Sequence, residues 1–131
     1  MSDREAFRKA VESRSIDEMM APFAEDAVLH SPITFKPFEG RAAIRILLGI
    51  LLEVFQDFRY TDELAAGDDG TKALVFRARV RDRDLEGIDL IRFDEAGRIV
   101  DFTVFIRPRS AIEVLLEEVA PRLAAAMRGA A

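Results

Sequence analysis

The chain contains no cysteine, which removes disulfides, thiolate nucleophiles and cysteine-held zinc or iron–sulfur centres from consideration. A single histidine, His30, leaves any metal site to be built almost wholly from carboxylates, so no metal and no other cofactor is expected. Basic charge is scarce: 19 Lys and Arg stand against 24 Asp and Glu, for a net charge of −5. That balance disfavours nucleic acid as a partner, because phosphate binding needs a basic face. Long apolar runs are missing too. The longest, Ile46–Leu52, falls far short of the ~20 residues of a membrane-spanning helix. The charged N-terminal stretch Ser2–Lys9 lacks the apolar core of a secretory signal. No membrane partner and a cytoplasmic location are therefore expected, and 131 residues suit one domain spanning residues 1–131.

What the chain does have is a pronounced hairpin between Glu86 and Pro108. Residues 88–93 and 99–106 are rich in Ile, Val and Phe, and Asp94-Glu95-Ala96-Gly97 between them supplies turn chemistry. Asp89 is out of place there, because alternation puts it on the face of Ile91 and Phe93. A buried carboxyl must be hydrogen-bonded, neutralised or set beside a ligand.

Taken in order, capping-box spacing at Ser2–Glu5 followed by Phe7, Ala10 and Val11 predicts a helix over 3–13. Ser15–Glu18 repeats the pattern ahead of a second short helix that Pro22 limits. Residues 27–31 read as a strand closed by Pro32, and residues 41–55 as a mostly buried helix striped by Ile44, Leu47, Leu48, Leu51 and Phe55. Gly49 inside it implies close approach by a sheet. Phe58, Tyr60, Asp62 and Leu64 alternate along a third stretch, and a turn at Gly67–Gly70 leads to Leu74, Phe76, Ala78 and Val80, which oppose Arg77, Arg79 and Arg81. A last helix at about 110–127 starts from the capping pattern at Ser110, with Pro121 expected to kink or interrupt it. Strands at 58–66, 72–82, 87–94 and 98–107, joined by short turns, make an antiparallel meander. With the helices grouped before it, the class is α+β, a curved antiparallel sheet wrapped around helices and enclosing an apolar pocket.

This order of elements resembles the nuclear transport factor 2-like superfamily, especially its SnoaL-like polyketide cyclase and ketosteroid isomerase branches. The likeness rests on Phe23-Ala24-Glu25-Asp26-Ala27, on Glu39-Gly40-Arg41-Ala42-Ala43-Ile44-Arg45, and on Ile88-Asp89-Leu90-Ile91-Arg92-Phe93 followed by Ala96-Gly97-Arg98-Ile99-Val100. It implies a cystatin-like cone with an apolar pocket, commonly a homodimer through the outer sheet face, in a superfamily of isomerases, cyclases, hydrolases, dehydratases and non-catalytic binders. In the ketosteroid isomerase pattern Asp89 falls where a protonated Asp donates to an oxyanion. The chain departs from that pattern twice, with Phe7 where the oxyanion-donating Tyr is expected and Ser31 where the general-base Asp precedes a Pro.

The candidate catalytic residues are Asp89, His30 and Tyr60. Asp89 is either a pocket carboxyl that polarises a carbonyl or exchanges a proton, or a carboxylate paired with an internal Arg or backbone amides. His30 is the side chain that titrates near neutrality, although alternation sends it outward while Leu29 and Ser31 point in. Tyr60 offers a hydroxyl on the face of Phe58. Phe7, Leu29, Ser31 and Phe55 are expected to line the pocket together with Phe58 and Phe76 and with Ile91, Phe102 and Val104. The outer row Arg77, Arg79 and Arg81 is expected to face Asp101, Thr103 and Phe105 and to serve a homodimer interface. The leading function is binding of a small apolar or polycyclic molecule, with isomerase- or cyclase-like acid–base chemistry through Asp89. The alternatives are a non-catalytic binding or dimerisation module, and a hydrolase or dehydratase using His30 as base.

Overall fold

The computed structural model describes residues 3–68 and 70–130. The capping residue Ser2 and Asp69 of the 67–70 turn therefore lie outside the described residues. Helices α1 (Asp3–Glu12) and α2 (Ile16–Met20) open the chain, and β1 (Phe23–His30) and β2 (Phe38–Glu39) precede α3 (Arg41–Val54). Then come β3 (Gln56–Ala66), β4 (Thr71–Val80), β5 (Arg83–Phe93), β6 (Ile99–Arg107) and α4 (Arg109–Ala130). The fold is α+β, with one curved, unclosed six-stranded sheet in the order β2-β1-β6-β5-β4-β3.

Period-two patterning sets the concave face. Leu74, Phe76, Ala78 and Val80 of β4 are buried beside Leu85, Ile91 and Phe93 of β5 and Phe102 and Val104 of β6. Onto this face α3 lays Ile44, Leu47, Leu48, Ile50 and Val54. Each such side chain contributes about 1.5–3 kcal/mol when fully buried, so the sheet–helix layer is the main stabilising unit. At the α1 end Phe7 meets Phe102 edge-on at 5.0 Å between ring centroids.

Several local features depart from the sequence reading. The meander β3–β6 is antiparallel, but β1 pairs in parallel with β6. No short turn joins those two strands, so turn length does not fix their direction. The two-residue β2 and the early start of β1 at Phe23 went unread, because they arise from pairing rather than from local composition. Gly49 has no close neighbour: a Cβ there would meet nothing within 4 Å. Helix α4 begins at Arg109, with the Pro108 carbonyl accepting from the Ala111 and Ile112 amides, and continues through Pro121, whose surroundings are exposed. Pro121 thus does not interrupt the helix, although it withdraws one amide donor from the helix ladder.

Strand β3 holds the departure that matters most for the site. Tyr60 pairs with Phe76, yet Asp62 pairs with Val75 and Glu63 with Leu74. Thr61 is thus an extra residue in a bulge, and past it the two faces exchange. Asp62 and Leu64 do not continue the face of Phe58 and Tyr60; Glu63 takes the inner position.

Candidate functional site

Between α1, α3 and the concave face lies a cavity of about 140 Å3. Its wall is largely aromatic: Phe7 from α1, Phe55 at the end of α3, Phe58 and Tyr60 from β3, Phe76 from β4 and Phe102 from β6. Phe58 stacks on Phe76 at 4.8 Å and meets Tyr60 edge-on at 5.1 Å. Met19, Leu48, Leu51, Leu52, Val11 and Val104 fill the rest of the apolar wall.

One carboxyl faces this surface from inside. Asp89 sits on the inner face of β5 between Leu74 and Val104 and is only 6% exposed. The Tyr60 hydroxyl donates to its Oδ2 at 3.0 Å, the partner that β3 delivers across β4. Among the described residues no Lys, Arg or His pairs with it and no other hydrogen bond reaches it. Burial pushes the Asp89 carboxyl from 3.8 up to about 7, against the downward pull of the Tyr60 hydrogen bond. Tyr60 is itself raised well above its ordinary value, first by burial and then by the neighbouring Asp89 charge. The pair therefore holds a carboxyl that changes protonation near neutrality beside a phenol that stays neutral.

A charged rim surrounds Tyr60. The Arg8 guanidinium lies 5.5 Å from the Tyr60 ring centroid and pairs with Glu63 at 3.0 Å and Glu12 at 3.3 Å. Lys72, with a side chain 7% exposed, reaches Glu5 at 2.9 Å and Glu63 at 3.2 Å. Glu63 is lowered below its ordinary value, chiefly by the Arg8 hydrogen bond. At the opening, Glu12, Arg14 and Arg59 line the cavity while remaining exposed. Among the described residues no group of three His, Cys, Asp or Glu side chains is placed to hold a metal ion.

The SnoaL-like domain model matches residues 4–102. The chain belongs to that family, within the nuclear transport factor 2-like superfamily. It is similar to a steroid delta-isomerase from Pseudomonas aeruginosa, with 38% identity over 98% of this chain and 96% of that one, at a TM-score of 0.89. It is also similar to a protein with a cystatin-like fold from Silicibacter pomeroyi, at 30% identity over 92% of this chain and 84% of that one, with a TM-score of 0.85. A ketosteroid isomerase-like structure from Kribbella flavida shares the fold at 22% identity, covering 81% of this chain and 76% of that one, with a TM-score of 0.65. No curated protein matches the chain.

In this SnoaL-like domain the cavity collects Asp89 and Tyr60 with Phe7, Phe55, Phe58, Phe76, Phe102 and Val104. Leu29 and Ile91 are buried in the core but do not line it. Ser31 is also absent from the wall, and its hydroxyl accepts from the amides of Ile33 and Thr34, closing the loop after β1. His30 belongs to the outer face. Its Nε2 lies 3.4 Å from Asp101 Oδ2, and it is not among the cavity-lining residues that include Asp89. The arginine row is also redrawn. Arg77 pairs with Glu86 and Arg79 with Asp84, whereas Arg81 lies past the strand end at φ 55° and reaches Glu117 and Glu118 of α4. None of the three pairs with Asp101: Arg77 and Arg79 meet acids of β5, and Arg81 meets acids of α4.

Sequence reasoning missed Arg8, Glu12, Arg14, Arg59 and Lys72. Lys72 alone carried a readable signal, since it continues the alternation of Leu74 and Phe76 and so had to be buried with partners. The others reach the site through tertiary placement of α1 and β3, which no local pattern encodes.

Proposed function

We propose that this SnoaL-like domain binds a small apolar carbonyl compound in its cavity and exchanges a proton with it through Asp89. The observation that carries this reading is a carboxyl buried in an aromatic wall with one oxygen held by Tyr60 and no basic partner among the described residues. Neutral Asp89 donates a hydrogen bond to a carbonyl oxygen; ionised Asp89 takes a proton from an acidic carbon and returns it at another, a net isomerisation needing no cofactor. Tyr60 positions the carboxyl by holding Oδ2, which leaves Oδ1 for the ligand. The isomerase name of the Pseudomonas aeruginosa relative supports this class. The cavity volume narrows the substrate: about 140 Å3 is close to the ~150 Å3 cavity that admits benzene and well under the roughly 300–1,000 Å3 of drug-sized sites. A one- or two-ring body suits it better than a four-ring steroid.

The experiment is hydrogen exchange of a small aryl ketone in heavy water, followed by proton NMR, with native mass spectrometry of the freshly purified protein to catch a retained ligand. Enzyme-dependent deuteration that Asp89→Asn abolishes is expected; undiminished exchange in the variant would refute the reading. A second reading, binding without catalysis, is favoured by Phe7 and by the loop-closing role of Ser31, which leave the cavity without a further base or donor at those positions. Saturable binding with no deuteration would select it.

The same reading includes a cytoplasmic homodimer formed through the outer sheet face, with neither nucleic acid nor membrane as partner. Val75, Ile88 and Phe105 are register partners across three strands, and Phe105 is 53% exposed. An apolar row between charged ones suits a second copy better than water. Light scattering at micromolar concentration should give the dimer mass, and a monomer would refute the assembly.

A further inference from the structure

Arg14 and Arg59 both line the cavity and are both exposed, which places them at its opening. Neither has a carboxylate partner among the described residues, although most arginines on the outer sheet face do. Each is anchored instead by a backbone carbonyl. Arg14 Nη2 donates to the Leu52 carbonyl at 2.7 Å, and Arg59 Nη1 donates to the Asp57 carbonyl at 3.0 Å. Arg14 and Asp57, the residue that anchors Arg59, have positive φ, 59° and 55°, a conformation rarely taken by residues other than glycine. A carbonyl satisfies one N–H and leaves the charge uncompensated, so the remaining donors of each guanidinium stay available. Among the described residues Glu12 is the acid lining the opening, and it is occupied by Arg8 at 3.3 Å.

We propose that the ligand of the cavity is an amphiphile whose apolar body, bearing the carbonyl, lies against the aromatic wall and whose carboxylate is held at the opening by Arg14 and Arg59. This rests on the preceding reading of the site and adds the charged end that reading leaves unspecified. The chemistry is that of a small oxo acid with the two functional groups at opposite ends. A planar guanidinium recognises a carboxylate by paired hydrogen bonds, and two of them at the rim of an apolar cavity orient a rod-like molecule so that its carbonyl enters first. Because both arginines are exposed, their attraction is moderate and salt-sensitive.

The test uses calorimetric binding of para-acetylbenzoate, its uncharged methyl ester, and para-isopropylbenzoate, which keeps the carboxylate and lacks the ketone. At low salt the acid should bind about tenfold more tightly than the ester, a gap that closes as salt is added. Arg14→Gln and Arg59→Gln should each weaken the acid several-fold and leave the ester unchanged, while para-isopropylbenzoate should bind less tightly than the keto acid. Arg14 also serves the carbonyl end of α3, so should its variant fold poorly, Arg59→Gln and the acid–ester comparison in the unaltered protein carry the test. Equal binding of acid and ester, both weakened by Asp89→Leu, which removes the donor to the carbonyl, would overturn the carboxylate proposal and leave the pocket reading standing. No binding of any of the three, or binding indifferent to Asp89→Leu, would overturn both.

Discussion

Replacing Asp89 with Asn should stabilise this protein at neutral and alkaline pH. In the unfolded chain the carboxyl ionises near 3.8, whereas in the folded cavity it does so near about 7. Between those values the folded state keeps a proton that the unfolded state has released, so stability falls as pH rises, by about 1.4 kcal/mol per pH unit. The contribution is fully present below 3.8 and lost as the pH passes through about 7. Over the interval from 3.8 to about 7 the loss reaches about 4 kcal/mol, an upper bound because the site can relax or admit water. Asn keeps the size and still accepts from the Tyr60 hydroxyl but never ionises. The assay is urea denaturation followed by circular dichroism, run on both proteins from about pH 4 to about pH 8. The two should be equally stable at the acid end and diverge to 2–4 kcal/mol, on the order of the loss above, at the alkaline end. Parallel curves would refute the burial argument, and a wild type that gained on the variant with rising pH would show Asp89 paired with a cation.

Three other substitutions test the local geometry. Gly49→Ala should stabilise by about 0.5–1 kcal/mol in the same denaturation assay, since the helix gains propensity and the new methyl meets open space. Gly87→Ala should destabilise by about 1–3 kcal/mol and weaken ligand binding, because its Cβ would lie 2.2 Å from Phe76 Cζ and drive that ring into the cavity. His30→Gln should leave ligand binding unchanged by calorimetry, as its imidazole faces Asp101 on the outer surface.

Period-two alternation was enough to read β4 and β5 and to place Asp89 inward, because these two strands pair with each other without a register shift from Lys72 opposite Ile91 to Val80 opposite Arg83. The same rule failed on β3 for a physical reason. A bulge costs one residue of phase, and after Thr61 every side chain changes face, so the rule selects Asp62 where the structure presents Glu63. The arginine row failed at Arg81 in the same way, where alternation was carried past the end of the strand into a left-handed turn. The aromatic wall was legible in Phe7, Phe55, Phe58, Phe76 and Phe102, which the hydrophobic pattern sends inward. Which apolar residues bound empty space is a matter of packing between elements, and so Leu29 and Ile91 read identically to the residues that line the cavity.

The concave face buries two ionisable groups among the described residues, Lys72 and Asp89, and their treatment differs. They stand on adjacent strands, with Lys72 opposite Ile91, two residues along from Asp89. Lys72 reaches two carboxylates within 3.2 Å, so its charge is compensated as a structural charge must be. Asp89 receives a single neutral hydroxyl while a guanidinium, that of Arg8, lies over the Tyr60 ring and is spent on Glu12 and Glu63. The fold thus has the means to neutralise a buried charge nearby and leaves this one unneutralised, at a cost of at most about 4 kcal/mol at alkaline pH. Under the proton exchange proposed above, that cost is what the role of Asp89 takes from the fold, and the stability gained by Asp89→Asn measures it.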